Sequence, residues 1–392
     1  MPLYTTKPYF CTIVGMEQFF DFTFSPLMVV LGALGVVFLI QLYYYLGVFT
    51  RLTGYKRNDV PANQQPVSII ICAKNEEDNL MKHLPLILNQ NYPKFEVIVV
   101  NDCSWDESYE RMLRMQPDYP HLEIRNIAIN DHYEHGKKFA LSIGIKAAKY
   151  EQLLLTDADC RPASADWLAL MQRNFTDKKD IILGFSPYER GKGFLNKVIR
   201  YDTMLIGIHY LTQALRGKTY MGVGRNLSYE KELFFNVKGF ASHMHVMSGD
   251  DDLFIQEVAT KTNVAIEIDH NAHTLSAPKK TWADWFTQKR RHISTAPLYP
   301  VSTRSFITTY FVSTALFYLL LTTLAVFLYN WPILIAVFLV RLVIMMVVLG
   351  NCAKKLNEKP LVGYIPLLDL VMLIVYPSIS VSKLLVRKNK WS

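Results

Sequence analysis

Two carboxylates stand one residue apart at the end of an apolar run in LLLTDADC, Leu153 to Cys160. If the strand continues, Asp157 and Asp159 point the same way and crowd two like charges, an arrangement that calls for a cation between them. Carboxylate oxygens suit hard divalent ions such as Mg2+ or Mn2+, and Mg2+ is commonly held by one or two carboxylates together with substrate phosphates. Three further carboxylates, Asp250, Asp251 and Asp252, follow one another in SGDDDLF. Their crowding raises at least one proton affinity, which suits a general base. The bland alternatives are a turn aspartate after a strand and an acidic helix start with aspartate as its cap.

These residues need elements to hold them. VSIIIC, FEVIVV and QLLLTD are continuous apolar runs of strand length separated by segments long enough for helices, which predicts parallel strands buried on both faces. They end in Lys74-Asn75-Glu76, Asn101-Asp102 and Asp157-Ala158-Asp159. Ligands of open α/β sheets bind beyond the carboxyl ends of the strands, so the three ends are expected to meet at one site.

Both flanks of this α/β texture are lipid-like. Leu27 to Phe49 is apolar for long enough to cross a hydrocarbon core of about 30 Å. Arg51, Lys56 and Arg57 follow it, which puts the next domain in the cytoplasm by the positive-inside rule. A linker, Pro61 to Pro66, leads into the domain. Phe306 to Tyr329 and Trp331 to Gly350 are each long enough to span and are joined by a hairpin turn; Arg341, inside the second, should face protein or water. A third stretch, Tyr364 to Leu385, holds Asp369, Pro366 and Pro377 and leads into Lys383, Arg387, Lys388 and Lys390. Spanning would put that basic tail outside, so a re-entrant or interfacial course is preferred. The expected organisation is an N-terminal segment and transmembrane helix over 1–50, a cytosolic domain over 51–305, and C-terminal membrane segments over 306–392, two spanning plus a third spanning or interfacial.

The formal charge of +8 comes from basic residues set beside apolar segments, a pattern for an anionic membrane surface, and no nucleic-acid module is evident. Five scattered cysteines, Cys11, Cys72, Cys103, Cys160 and Cys352, lack paired spacing and fit a reducing compartment. The transporter class is disfavoured because repeated helices are missing.

VSIIICAKNEEDNL, VIVVNDCSWDES, GKKFALSIGIKAA, LLLTDADC, GVGRNLSYEKELF, SGDDDLF and QKRRH occur in the order seen in membrane-bound family 2 inverting glycosyltransferases, which the chain resembles over roughly Val67 to His292. That group includes cellulose, chitin and hyaluronan synthases and ceramide glucosyltransferase. The resemblance implies a GT-A type α/β domain with a mixed, mainly parallel sheet flanked by transmembrane helices. It further implies transfer of a sugar from a nucleoside diphosphate sugar, UDP-linked, to a hydroxyl acceptor, a lipid or a glycan, at the bilayer of the cell's inner or plasma membrane. Glu76 and Asp102 would contact ribose and base, and Lys137, ahead of Lys138, the pyrophosphate. Asp157 and Asp159 would act through Mg2+ or Mn2+, Asp159 ahead as direct ligand. Asp251 would be the base, with Asp250 as its neighbour and the assignment open by one position. Gln288 and Arg291 match a Gln-x-x-Arg-Trp motif at the acceptor and diphosphate, with His292 where tryptophan is usual. Asn226, in the Gly222 segment, is placed near the acceptor. The alternatives are a processive polysaccharide synthase and a non-catalytic nucleotide-sugar-binding scaffold of the same fold.

Overall fold

A computed structural model describes residues 25–56, 64–128, 136–246 and 248–385. The first 24 residues with Cys11, residues 57–63 with Arg57 and the start of the expected linker, and the tail with Arg387, Lys388 and Lys390 lie outside them.

The three apolar runs become β1 (Val67–Ala73), β2 (Phe95–Asp102) and β4 (Gln152–Asp157), with β3 (Leu122–Ile127) beside β2. Almost every residue of β1, β2 and β4 is buried, as strands covered on both faces must be. β5 (Cys160–Pro162), β6 (Ile181–Gly184), β7 (Leu227–Glu230), β8 (Val264–Glu267) and β9 (Thr274–Ser276) complete the set. The main sheet runs β3-β2-β1-β4-β7-β6-β8, and β5 pairs with β9 in a separate two-stranded ribbon. β1 to β4 pair in parallel, β7 is antiparallel to both neighbours, and β6 is parallel to β8. This is the mixed, mainly parallel GT-A arrangement expected from the sequence.

Register levels the functional strand ends. Ala73 stands opposite Asn101 and Cys72 opposite Asp157, so the polar residues that follow emerge along one sheet edge.

Helix α1 (Pro26–Thr53) precedes the sheet, α2 (Glu77–Leu88) follows β1, and α3 (Lys137–Ala147) precedes β4. A Cβ on Gly144 of α3 would sit 2.7 Å from Ile70 Cγ2 and 3.1 Å from Val100 Cγ2. Glycine therefore lets α3 lie close on the sheet, which fixes where Lys137 at its first turn arrives. Gly144→Val should destabilise the protein by roughly 1–3 kcal/mol through overpacking, read as a lowered Tm in detergent; an unchanged Tm would refute the close fit.

α4 (Phe194–Leu215) joins the domain to the long apolar helices and is buried along most of its length, including the polar Arg200, Asp202 and His209. α5 (Asp252–Val258) and α6 (Trp282–His292) carry the last two motifs. α7 (Val301–Val326), α8 (Trp331–Lys355) and α9 (Ile365–Leu385) follow. Among the described residues, four segments are long and apolar enough to cross a membrane: Pro26–Thr53, Val301–Val326, Trp331–Lys355 and Lys359–Ser382.

One apolar core runs without a break from the sheet face bearing Ile70, Val100 and Leu155 into Phe49, Tyr310 and Met345 of the long apolar helices. Arg341 faces protein as expected. Its guanidinium donates to Asp369 Oδ2 (3.0 Å), Gln41 Oε1 (3.2 Å) and Tyr318 Oη (2.9 Å), which ties α8 to α9, α1 and α7. The Tyr364 to Leu385 stretch forms one helix despite Pro377, with Leu368, Met372, Val375 and Ile379 packed inward and Ile374 and Val381 outward. Its Tyr376 hydroxyl reaches Asp202 of α4, so the middle of α9 is docked on the α/β domain.

Candidate active site

One cation beside the paired aspartates comes from the chain itself. Lys137 Nζ lies 2.9 Å from Asp157 Oδ1 and 2.9 Å from Asp250 Oδ2, so it joins the strand-end motif to the triple aspartate. The bridge therefore runs from Asp157 to Asp250, not from Asp157 to Asp159. Burial works against the ammonium, but Asp157, Asp250 and Asp251 together hold its pKa well above the ordinary lysine value. Burial likewise pushes the Asp250 carboxyl up, yet the Lys137 ammonium outweighs it and keeps Asp250 below the usual carboxylate range.

The three consecutive aspartates divide their tasks. Asp252 Oδ2 accepts hydrogen bonds from Thr295 (2.6 Å) and Tyr299 (2.5 Å) and anchors the segment after α6. Asp251 caps α5, accepting the backbone N–H of Asp252 on Oδ1 and that of Gly224 on Oδ2, each at 2.8 Å. Burial, then the charges of Asp250 and Asp252, push its pKa up to about 7. Of the three, Asp251 combines a place on the cavity wall with a proton affinity suited to neutral pH.

Asp159 lines the cavity with Asp157 and accepts the Cys160 thiol at 3.3 Å. Burial first, then Asp157, raise its pKa. Glu76 Oε2 accepts from Asn79 Nδ2 (2.6 Å); burial raises its pKa, and both Asp159 and Asp157 add to the shift. Asp102 is fully buried at the end of β2. The Cys72 thiol, raised by burial at the end of β1, feels Lys137, Asp157, Asp250 and Asp102 together, which marks how these groups converge. Among the described residues no three aspartate, glutamate, histidine or cysteine side chains form a ready metal cage. An all-carboxylate pair with incompletely neutralised charge nevertheless fits a hard divalent ion whose remaining ligands are phosphate oxygens and water.

A cavity of about 720 Å³ opens at Lys137, Asp157, Asp159, Asp250 and Asp251 and continues to Ile307, Phe311 and Val312 of α7 and Leu373 and Ile379 of α9. Gln288, Arg291 and His292 line it from α6. Burial, then Lys289 and Arg291, hold the His292 imidazole well below its usual pKa, so a neutral ring stands where the related motif has an indole. Lys138 turns away from Lys137: its ammonium donates to the carbonyls of His243 (2.6 Å) and Val246 (3.0 Å) and braces the loop ahead of Asp250.

Asn226 does not reach the cavity. Its amide is buried and spent on the carbonyls of Phe185 (3.0 Å) and Ala272 (2.9 Å) and on Trp167 Nε1 (3.0 Å). The residue on the wall is its neighbour Arg225, which donates to Ser276 Oγ (2.5 Å) and the Ser186 carbonyl (2.9 Å) and lies 4.5 Å over the Tyr188 ring. Lys289 was also missed. It is buried on Asp202 Oδ2 at 2.7 Å, while Oδ1 accepts the Tyr376 hydroxyl at 2.8 Å, so Asp202 links α6 to α9. The spacing of Trp285, Lys289 and His292 on one helical face was a signal available in the sequence.

Two family models match the chain: Glycosyl transferase family 2 over residues 68–237 and Glycosyl transferase family group 2 over residues 153–350. Among curated relatives, poly-beta-1,6-N-acetyl-D-glucosamine synthase of Staphylococcus aureus is 26% identical over 122 residues, 30% of this chain and 28% of that protein. A probable glycosyltransferase of Bacillus subtilis is 24% identical over 274 residues, 67% of this chain and 63% of that protein. The chain thus spans less than two thirds of either relative's length. A solved mannosyltransferase from Pyrobaculum calidifontis, in complex with GDP-Man and Mn2+, covers 89% of this chain and 99% of its own at a TM-score of 0.54 and 18% identity, a likeness of fold.

Proposed function

Because the chain belongs to glycosyltransferase family 2, we propose that it transfers one sugar, with inversion, from a nucleoside diphosphate sugar, UDP-linked, to a hydroxyl of a lipid held at the membrane. The observation that carries this reading is the single cavity that begins among carboxylates and ends between helices apolar enough for a bilayer. A site for a purely polar glycan has little use for that second end.

On this reading Glu76 and Asp102 accept hydrogen bonds from ribose and base. Asp157 and Asp159 hold Mg2+ or Mn2+, and such an ion, when bound, neutralises charge on the departing diphosphate. Lys137 leaves its carboxylate partners for the pyrophosphate, and Arg291 meets the diphosphate from α6 with Gln288 beside it. Asp251 takes the acceptor proton from the face opposite the leaving group, so that the new bond forms in one displacement. Asp250 keeps Lys137 in place between turns. The acceptor contact first given to Asn226 passes to the Arg225 wall.

Arg51 in the last turn of α1 and Lys56 just after it, Arg304 in the first turn of α7, and Lys354 and Lys355 ending α8 support a catalytic domain on the cytoplasmic side of the cell membrane. The proposed division remains a membrane anchor over 1–50, the catalytic domain over 51–305 and membrane segments over 306–392.

The test is to incubate purified protein with labelled nucleotide sugars and a lipid extract. One labelled lipid is expected, lost on chelation and restored by Mn2+ or Mg2+. A long labelled polymer would favour a processive synthase, and donor binding without transfer would favour a scaffold. With Asp251 as base, kcat/KM for the acceptor should rise with pH along a limb centred near 7, because the carboxylate form predominates above its pKa of about 7. A profile flat from pH 5 to 8 would refute that role.

A further inference from the structure

His209 lies on the face of α4 that lines the cavity, two turns beyond Asp202. It is 3% exposed, and neither ring nitrogen has a hydrogen-bond partner among the described residues. Its walls are aromatic. The ring centroids of Tyr310, Phe49 and Phe306 lie at 4.7, 5.1 and 5.7 Å, and Phe311 stacks on it at 5.9 Å. Burial alone pushes its pKa down to about 3, so the imidazole is neutral and offers one N–H donor and one lone-pair nitrogen.

Buried polar groups are ordinarily paired, because leaving one unpaired forfeits its hydration. A purely space-filling role at this position is served better by phenylalanine, the residue that packs on three sides of it. The level of the residue matters too. Phe49 falls near the domain-side end of α1, as the last residue of the π-helical turn Tyr43–Phe49, and Phe306 falls in the second turn of α7. His209 therefore stands where the domain ends and the long apolar helices begin, between the charged mouth of the cavity and its apolar end.

We propose that His209 is the acceptor-specificity residue, hydrogen-bonding an amide, ester or hydroxyl group that the lipid acceptor carries between its reacting hydroxyl and its hydrocarbon tail. The inference rests on the lipid-acceptor reading above and adds to it. A plain long-chain alcohol would leave the imidazole unpaired, whereas a lipid with a polar linkage at the boundary satisfies it while its tail lies against Phe311, Val312 and Leu373.

The experiment compares three acceptors of equal tail length in detergent: dodecanol, monododecanoylglycerol and N-dodecanoylethanolamine, with the donor found in the nucleotide-sugar panel. The unmodified protein should use the latter two with kcat/KM at least about tenfold above dodecanol, the size expected when a buried donor or acceptor is left without its partner. His209→Phe should erase that preference by raising KM for the two polar-linked acceptors, leaving dodecanol and nucleotide-sugar binding unchanged. His209→Gln should restore part of it. Equal loss on all three acceptors would show a structural role, and an unchanged preference in His209→Phe would overturn the proposal. If none of the three is glycosylated while the donor is still bound and hydrolysed, the lipid route fails with it. If donor binding is missing as well, the failure lies in the catalytic reading.

Discussion

Asp251→Asn is expected to lower the rate of sugar transfer roughly 10²–10⁴-fold, the contribution of a positioned general base, with nucleotide-sugar affinity retained. The substitution is a clean one because of the residue's second task. Asparagine is as good a helix cap as aspartate, and its side-chain oxygen can still take one of the two backbone N–H groups, of Asp252 or Gly224, that the carboxylate now accepts. α5 should keep its start, and Tm should fall little. What is lost is the carboxylate whose pKa is pushed to about 7 by burial and by Asp250 and Asp252. Transfer kinetics at saturating donor, with donor affinity measured separately, decide the matter: undiminished transfer removes Asp251 from the mechanism, and a parallel loss of donor affinity makes it a positioning group.

Lys137→Met should cost roughly 10²–10³-fold in transfer, as when one charge-stabilising donor is removed from a reacting centre. It also carries a signature that simple damage to the fold lacks. Lys137 lowers the proton affinity of Asp251, against the larger effects of burial and its two acidic neighbours. Removing the ammonium should therefore move the acidic limb of the pH–rate profile to higher pH. A fall in rate with the limb unmoved would mean that Lys137 acts on the substrate without tuning the base, and an unchanged rate would exclude it from the site.

The convergence of β1, β2 and β4 was legible because each apolar run stops at charged or polar residues, and buried parallel strands leave little choice about which end faces a ligand. Asp157, Asp159 and the 250–252 cluster were readable for the same reason, as carboxylates set where burial makes them costly. The partner of the ammonium was not. Whether Lys137 bridges Asp157 to Asp159 or to Asp250 depends on where α3 comes to rest, and that depends on Gly144 against Ile70 and Val100. The sequence points to Asn226 and passes over Arg225 because a one-residue offset at the entry to β7 decides which side chain enters the core and which the cavity, and a segment of only four strand residues carries no periodicity to settle it. Lys289 and His209 escaped notice since their meaning lies in contacts with Asp202 on another helix and with rings from α1 and α7. The short β5–β9 ribbon, with three residues per strand, is likewise set by tertiary packing.

The Arg341–Asp369 pair constrains biogenesis as well as the finished fold. The two residues are 28 positions apart, and the guanidinium emerges from the ribosome first, with its carboxylate still to be synthesised. An unpaired arginine is costly in hydrocarbon, so α8 has no comfortable resting place until α9 arrives. On the proposed membrane topology these two helices would be expected to insert together, and a chain that stops short of Asp369 would expose a bare cation for membrane quality control to recognise.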